Sequence, residues 1–211
     1  MMKTLIIGAS GQIGKMTTEK MLKKGHDVVA LVRDKAKLAD INSEQLRIVE
    51  QDLEGDFSAA FDNVEQVIFS AGSGASTGPD KTLLIDLWAA VKAIDYAVKA
   101  GVKHFIMVSS IGADNPDQIE GDIKPYLVAK HMADQHLQQS ILNYTLVRPG
   151  SLQNEPATGG YTTTWPEQRE HAVINRENVA EALVYLAEQH PENLTFELFN
   201  GEQSLEQALT K

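Results

Sequence analysis

The stretch that most constrains this chain is Thr4-Leu5-Ile6-Ile7-Gly8-Ala9-Ser10-Gly11-Gln12-Ile13-Gly14, an apolar run that breaks into three glycines spaced G-x-x-G-x-x-G. It predicts a strand, a tight turn and a helix. A strand ending in a glycine turn brings bare backbone N–H groups, and the positive end of the next helix, up to a diphosphate. Gly8 is expected to allow the tight turn, Gly11 the close approach of phosphates, and Gly14 the packing of helix on strand. Ser10, Gln12 and Ile13 complete the expected binding segment. The alternative is a plain glycine turn between strand and helix.

The chain has 211 residues, enough for one sizeable α/β domain and short for two. Lys plus Arg number 19 against 29 for Asp plus Glu, giving a formal charge of -10, with no basic stripe. That balance argues against nucleic acid or an anionic membrane surface as partner and favours a small molecule. There is no cysteine, so disulfides and thiolate metal sites are excluded, and the composition fits a reducing compartment. The first strand begins at once, and no apolar run approaches the ~18 residues of a membrane span, so a soluble, cytoplasmic protein is expected. The six histidines show no H-E-x-x-H spacing, and no metal is expected.

After a first helix over 12–24, Asp27 to Asp34 forms a short apolar run closed by charge, as in a strand buried on both faces beside the first. Its end is where a dinucleotide's adenosine ribose falls in such folds. Arg33 would pair with a 2′-phosphate, whereas Asp34 would accept from a free 2′-hydroxyl. The order of the two favours Arg33, hence NADP, with NAD possible. A third strand over 46–52 ends on Asp52 and Leu53. There a carboxylate could take the adenine amino group and a leucine cover the ring, or Asp52 could be an ordinary turn residue. The fourth strand, 65–72, runs into Ser70, Ala71 and Gly72, small enough to admit a cofactor backbone.

A Ser/Gly/Thr-rich loop over 72–78 leads to a long helix from Asp80 to Ala100, with Leu84, Leu87, Trp88, Val91, Ile94 and Val98 expected on one stripe as core or dimer surface. A fifth strand, 104–110, ends on the hydroxyls of Ser109 and Ser110. Past an acidic irregular segment, Pro125-Tyr126-Leu127-Val128-Ala129-Lys130 opens another helix. Residues four apart share a helix face, so Tyr126 and Lys130 can project into one pocket. A nearby ammonium would pull the phenol below its usual ~10 and could also hold nicotinamide-ribose hydroxyls. The competing reading is a core tyrosine and a surface lysine. A sixth strand, 143–150, ends on Pro149-Gly150. The segment 151–170 carries three turn clusters and is a candidate substrate lid, with Tyr161 and Trp165 as ring contacts or as packing. A short strand, a helix over 176–189 capped by Asn175, a last strand over 195–199 and a polar tail follow.

In order, Gly8 to Gly14, Ser70-Ala71-Gly72, Val108 to Ala113, Tyr126 through Lys130 and Val147-Arg148-Pro149-Gly150 resemble the short-chain dehydrogenases/reductases. The chain is most similar to the small atypical members, the NAD(P)H-binding group with flavin or biliverdin reductase-like and NmrA-like proteins. The resemblance implies a Rossmann fold: a doubly wound parallel sheet in three αβα layers, one domain over 1–211 with a small C-terminal substrate lobe whose loop spans about 150–172. It implies Tyr126 as general acid/base, Lys130 as its electrostatic partner and ribose ligand, and Ser110, or alternatively Ser109, as the hydroxyl orienting a substrate carbonyl. The cofactor contacts carried over are Gly8, Ser10, Gly11, Gln12, Ile13, Gly14, Arg33, Asp52, Leu53, Ala71, Gly72, Lys130 and Pro149.

The expected function is an NADP-dependent oxidoreductase passing a hydride to a small carbonyl, quinone or similar conjugated substrate. The rival is an NmrA-like redox sensor that binds NAD(P)(H) without turnover. An epimerase or dehydratase ranks below both, because about sixty residues after Pro149 leave little room for a nucleotide-sugar domain. A monomer or homodimer is expected.

Overall fold

The structure, a computed structural model, describes residues 2–74 and 77–210. In chain order the strands are β1 (Thr4–Ile7), β2 (Val28–Val32), β3 (Leu46–Glu50), β4 (Gln66–Phe69), β5 (His104–Val108), β6 (Tyr144–Pro149), β7 (Ser151–Gln153), β8 (Tyr161–Thr162), β9 (Val173–Asn175) and β10 (Leu194–Asn200). Eight of them form one sheet in the order β3-β2-β1-β4-β5-β6-β10-β8, and β7 pairs separately with β9. All pairings in the large sheet are parallel except β10 with β8. From β1 the chain winds outward through β2 and β3, then returns to β4 on the other side. That reversal opens a crevice above the carboxyl ends of β1 and β4, where α/β sheets bind ligands.

Side-chain alternation along β1 feeds both layers of the core. Ile6 joins Ile13, Met21, Ala30, Ile68, Val179 and Leu183 beneath α1 (Gln12–Lys23) and α4 (Arg176–Gln189). Leu5 and Ile7 join Phe57, Phe69, Ala93, Phe105 and Leu137 on the opposite face, beneath α2, the helix over 79–100, and α3 (Lys124–Gln138). Each of these β1 side chains is fully buried, worth roughly 1.5–3 kcal/mol apiece relative to exposure.

Three local expectations are corrected. Thr82–Ala89, within α2, is wound as a π-helix, a form that recurs at functional sites. The wider winding breaks the 3.6-residue period on which a leucine stripe was expected. Of that stripe Ile94 is fully buried and Leu87 and Val98 pack on the core, but the most buried positions of α2 also include Asp86, Ala89, Ala90, Ala93 and Ala97, while Trp88 is exposed. Asn175 precedes α4 without a side-chain cap bond. Its amide nitrogen donates to Pro156 O at 2.8 Å, fastening the 150–172 segment to the sheet. The tail forms α5 (Leu205–Leu209), opened by a reciprocal capping box between Ser204 and Gln207. Of the expected 72–78 loop, Ala75 and Ser76 lie outside the described residues.

Candidate functional site

The glycine turn is shaped by contacts that exclude side chains. Gly8 has φ +86°, and a Cβ there would meet the Ala71 backbone at 2.7 Å. One at Gly14 would meet Gly8 O at 2.2 Å, so helix α1 lies directly on the turn. Gly11 is the N-cap of α1 and brings no side-chain acceptor to the helix's first N–H groups. Those donors, with the positive end of the helix dipole behind them, fit an anionic phosphate. The donor set therefore fits a dinucleotide diphosphate.

A cleft of about 330 Å³ runs from this turn across the ends of β2, β3 and β4. Of the expected cofactor contacts, Gly8, Ser10, Gly11, Arg33, Asp52, Leu53, Ala71 and Gly72 all line it. Gln12 lines an adjoining hollow with Ser10 and Gly11, against Pro156 and Arg176. Ile13 and Gly14 lie beneath the turn, buried in α1. Arg33 and Asp34 are both exposed and both line the cleft wall, and Asp34 spends one carboxylate oxygen on Ala36 N at 3.0 Å, capping the short helical turn Lys35–Leu38. Asp52 lines the cleft, and its Oδ1 accepts from Glu54 N at 2.9 Å as a turn residue's does. Ser70 turns its hydroxyl away, donating to Ile7 O at 3.1 Å.

Lys37, Gln51 and Lys81 also line the cleft and were not anticipated. Lys37 sits four residues past Arg33 on a turn whose Asp34 cap is legible, so an Asp-x-x-Lys spacing could have found it. Asp86 is the larger omission. It is 1% exposed, its Oδ2 accepts from Ser73 N at 3.1 Å, and its Oδ1 lies 3.0 Å from where a Gly72 Cβ would stand. A charge in a leucine-rich helix reads as solvent-facing, and only the π-turn carries it inward.

At the other end of the crevice, Ser110 follows β5 and Tyr126 opens α3, and the Ser110 hydroxyl lies close enough to the phenol to influence its ionisation. Ser110 Oγ donates to Ile111 O at 3.1 Å. Ser109, in contrast, is buried near the Asp134 carboxylate, and its Oγ makes no hydrogen bond among the described residues. Pro149 is buried at the end of β6, and its carbonyl accepts from Ile111 N at 3.2 Å. It shapes the segment bearing Ser110 rather than the cleft wall.

Lys130 departs from expectation. It is 2% exposed, and its Nζ donates to Val108 O at 2.7 Å. Burial lowers its pKa, opposed by the carboxylates of Asp86 and Asp134. Asp134 is itself fully buried, paired at 3.1 Å with Arg148, and raised by burial against the pull of Ser109, Lys130 and Arg148. The expected lowering of the Tyr126 phenol is not found. Burial pushes it well above its ordinary value, Asp86 and Asp134 add to the rise, and the nearby Ser110 hydroxyl opposes it. Burial is the larger cause of the rise, and the two carboxylates act in the same direction.

The 150–172 segment is more ordered than a free lid. Tyr161 and Thr162 pair with β10, the Tyr161 hydroxyl donates to Glu181 at 3.1 Å, and Trp165 packs on Phe199 with ring centroids 5.2 Å apart. Both aromatics therefore hold the segment down.

A glycine turn at the switch point of a doubly wound sheet defines a Rossmann-type nucleotide-binding protein. Residues 8–190 match the family model described as NAD(P)H-binding, and the chain belongs to that family, among its small atypical short-chain dehydrogenase/reductase-like members. It is 42% identical to an uncharacterized sugar epimerase, YhfK, of Bacillus subtilis (strain 168), over 100% of both chains. It is also 42% identical to a Bacillus halodurans protein described provisionally as an NAD-dependent epimerase/dehydratase, with a TM-score of 0.90 over 97% of this chain and 96% of the other. ChuY, an anaerobillin reductase from Escherichia coli O157:H7, is 25% identical with a TM-score of 0.78, covering 96% and 98%. Among the described residues no helix is long and apolar enough to cross a membrane.

Proposed function

We propose that this protein is an NADP-dependent reductase of a small carbonyl, quinone or similar conjugated substrate. The observation that carries the reading is the juxtaposition of Ser110 with a Tyr126 phenol held protonated by burial and two carboxylates, at the end of the crevice opposite Arg33. A bound reduced nicotinamide supplies the hydride. Ser110 orients the acceptor oxygen, and Tyr126 keeps its proton until that oxygen gains alkoxide character and becomes more basic than a phenolate. A phenol raised in this way serves as a proton donor, which favours the reductive direction. Lys130, held on Val108 O, acts by position and charge behind the tyrosine.

Arg33 and Lys37 on the same wall support a 2′-phosphate, and hence NADP, as does the use of Asp34 in a cap. Arg33→Ser is expected to weaken NADPH binding about tenfold, the size of one charge-assisted hydrogen bond, and to leave NADH unchanged. Calorimetric titration with both nucleotides measures this. Equal affinity of the unaltered protein for NADPH and NADH would remove the assignment. The reductase reading is tested by NADPH consumption against a panel of carbonyls, quinones, flavins and tetrapyrroles, and the absence of any turnover would sink it.

A second reading is favoured by one feature. Leu83, Trp88 and Met132, from α2 and α3, are 57%, 51% and 52% exposed on one side of the molecule. Such a surface suits a redox sensor that relays nucleotide occupancy to a protein partner, and equally a homodimer. Tight binding that discriminates oxidised from reduced nucleotide, without turnover, would support the sensor.

A further inference from the structure

We propose that Lys92 is a positioning residue that builds the adenosine end of the cleft, an inference resting on the dinucleotide reading above. Lys92 is not among the residues lining the cleft. Its ammonium donates to three successive main-chain carbonyls: Leu53 O at 2.8 Å, Glu54 O at 3.2 Å and Gly55 O at 2.6 Å. An ammonium has three N–H donors, so one is available for each carbonyl. The Phe57 ring lies 5.1 Å from the nitrogen, a cation–π distance, and Phe57 is fully buried.

Three consecutive carbonyl dipoles aimed at one point repel one another. In water such a turn relaxes by rotating them apart, so the cation selects the conformation in which they converge. That conformation carries Asp52 and Leu53 into the cleft wall. A further contact from α2 pins the same turn: Lys81 pairs with Glu54. The same helix, through Asp86, fixes Ser73 on the facing wall. Helix α2 thus sets the spacing between the two walls that would enclose an adenosine, and Lys92 is its central tie. Burial lowers the Lys92 pKa while Asp56, Asp52 and Glu54 oppose the change.

The experiment compares the unaltered protein with Lys92→Met, which keeps the stem over Phe57 and removes the ammonium. Affinity for the tighter-binding of NADPH and NADH is measured by calorimetry, in sodium chloride and in ammonium chloride of equal ionic strength. Lys92→Met is expected to raise Kd about tenfold in sodium, consistent with loss of hydrogen bonds to a charged group. Ammonium, entering the vacated carbonyl cage, should restore at least half of that loss on a logarithmic scale. An unchanged Kd, or a loss that ammonium repairs no better than sodium, overturns the proposal. Should Lys92→Met fail to fold, Lys92→Arg decides. Its planar fork cannot converge three donors on one point, so a Kd at least about threefold higher is expected, and unaltered affinity overturns the assignment. Failure of the unaltered protein to bind either nucleotide would instead refute the dinucleotide reading and this inference with it.

Discussion

Tyr126→Phe is expected to lower kcat/KM for NADPH-dependent reduction by about 10²–10⁴-fold, the usual contribution of a positioned general acid. Nucleotide affinity should stay within about twofold, because the phenylalanine ring keeps the packing at the start of α3 and only the hydroxyl is lost. The direction of the phenol's pKa adds a second expectation. Burial, Asp86 and Asp134 all raise it, and the nearby Ser110 hydroxyl opposes them. The proton therefore stays on Tyr126 throughout the working range, and kcat/KM should show no alkaline limb from this group below about pH 9. Steady-state kinetics of the wild-type and Tyr126→Phe proteins on the first substrate found, followed from pH 6 to 9, test both points. Undiminished turnover in the variant removes Tyr126 from the chemistry. An alkaline decline present in wild type and absent from the variant would show that the phenol ionises far below the value its surroundings dictate.

The same tyrosine marks where sequence reasoning succeeds and where it stops. The glycine turn was legible because Gly8 and Gly14 answer to local sterics: a positive φ at one, and a backbone contact of 2.2 Å at the other. The strands were legible because β2 is buried on both faces, and such a run has little choice but to be apolar throughout. The Tyr126 to Lys130 spacing places both residues in α3, but spacing says nothing of charges delivered by other elements. Asp86 arrives from a π-wound turn in α2, whose register no 3.6-residue template anticipates. Asp134 lies one turn beyond Lys130, yet its weight depends on complete burial, a property of the packed molecule. Nothing in the local sequence sets Lys92 apart from the other lysines of α2. That it gathers three carbonyls from a turn thirty-seven to thirty-nine positions earlier is a tertiary fact.

Below pH 6.5 the protein is expected to lose stability steeply, and His104→Gln should remove most of that loss. His104 opens β5 at the end of the sheet remote from the cleft and is 1% exposed. Its Nδ1 lies 3.0 Å from Gln66 Nε2 and its Nε2 lies 2.9 Å from Thr145 Oγ1. The Gln66 amide also meets His190 Nδ1 at 2.9 Å and Ala187 O at 3.2 Å, while its oxygen accepts from Thr4 at 3.0 Å. An amide nitrogen only donates and has two N–H groups for these three acceptors, and a neutral His104 with a bare Nδ1 can accept one of them. Burial lowers the His104 pKa from 6.5 to about 4, with the neighbouring His190 acting in the same direction. The unfolded chain takes up a proton near pH 6.5 that the folded chain refuses until about pH 4. Stability is therefore fully present above pH 6.5 and falls as pH drops through that window, at ~1.4 kcal/mol per unit and about 3 kcal/mol in all. Urea denaturation at pH 7.5, 6.5, 5.5 and 5.0 measures the slope. His104→Gln keeps a donor and an acceptor but cannot charge, so its curve should be flatter than wild type by about 2 kcal/mol at pH 5. Carboxylates such as Glu188, lowered by its bonds to Lys24 and His26, lose stability in the same direction at lower pH, and the difference between the two proteins cancels them. Parallel curves would mean that the histidine at the foot of β5 takes up its proton without disturbing the sheet.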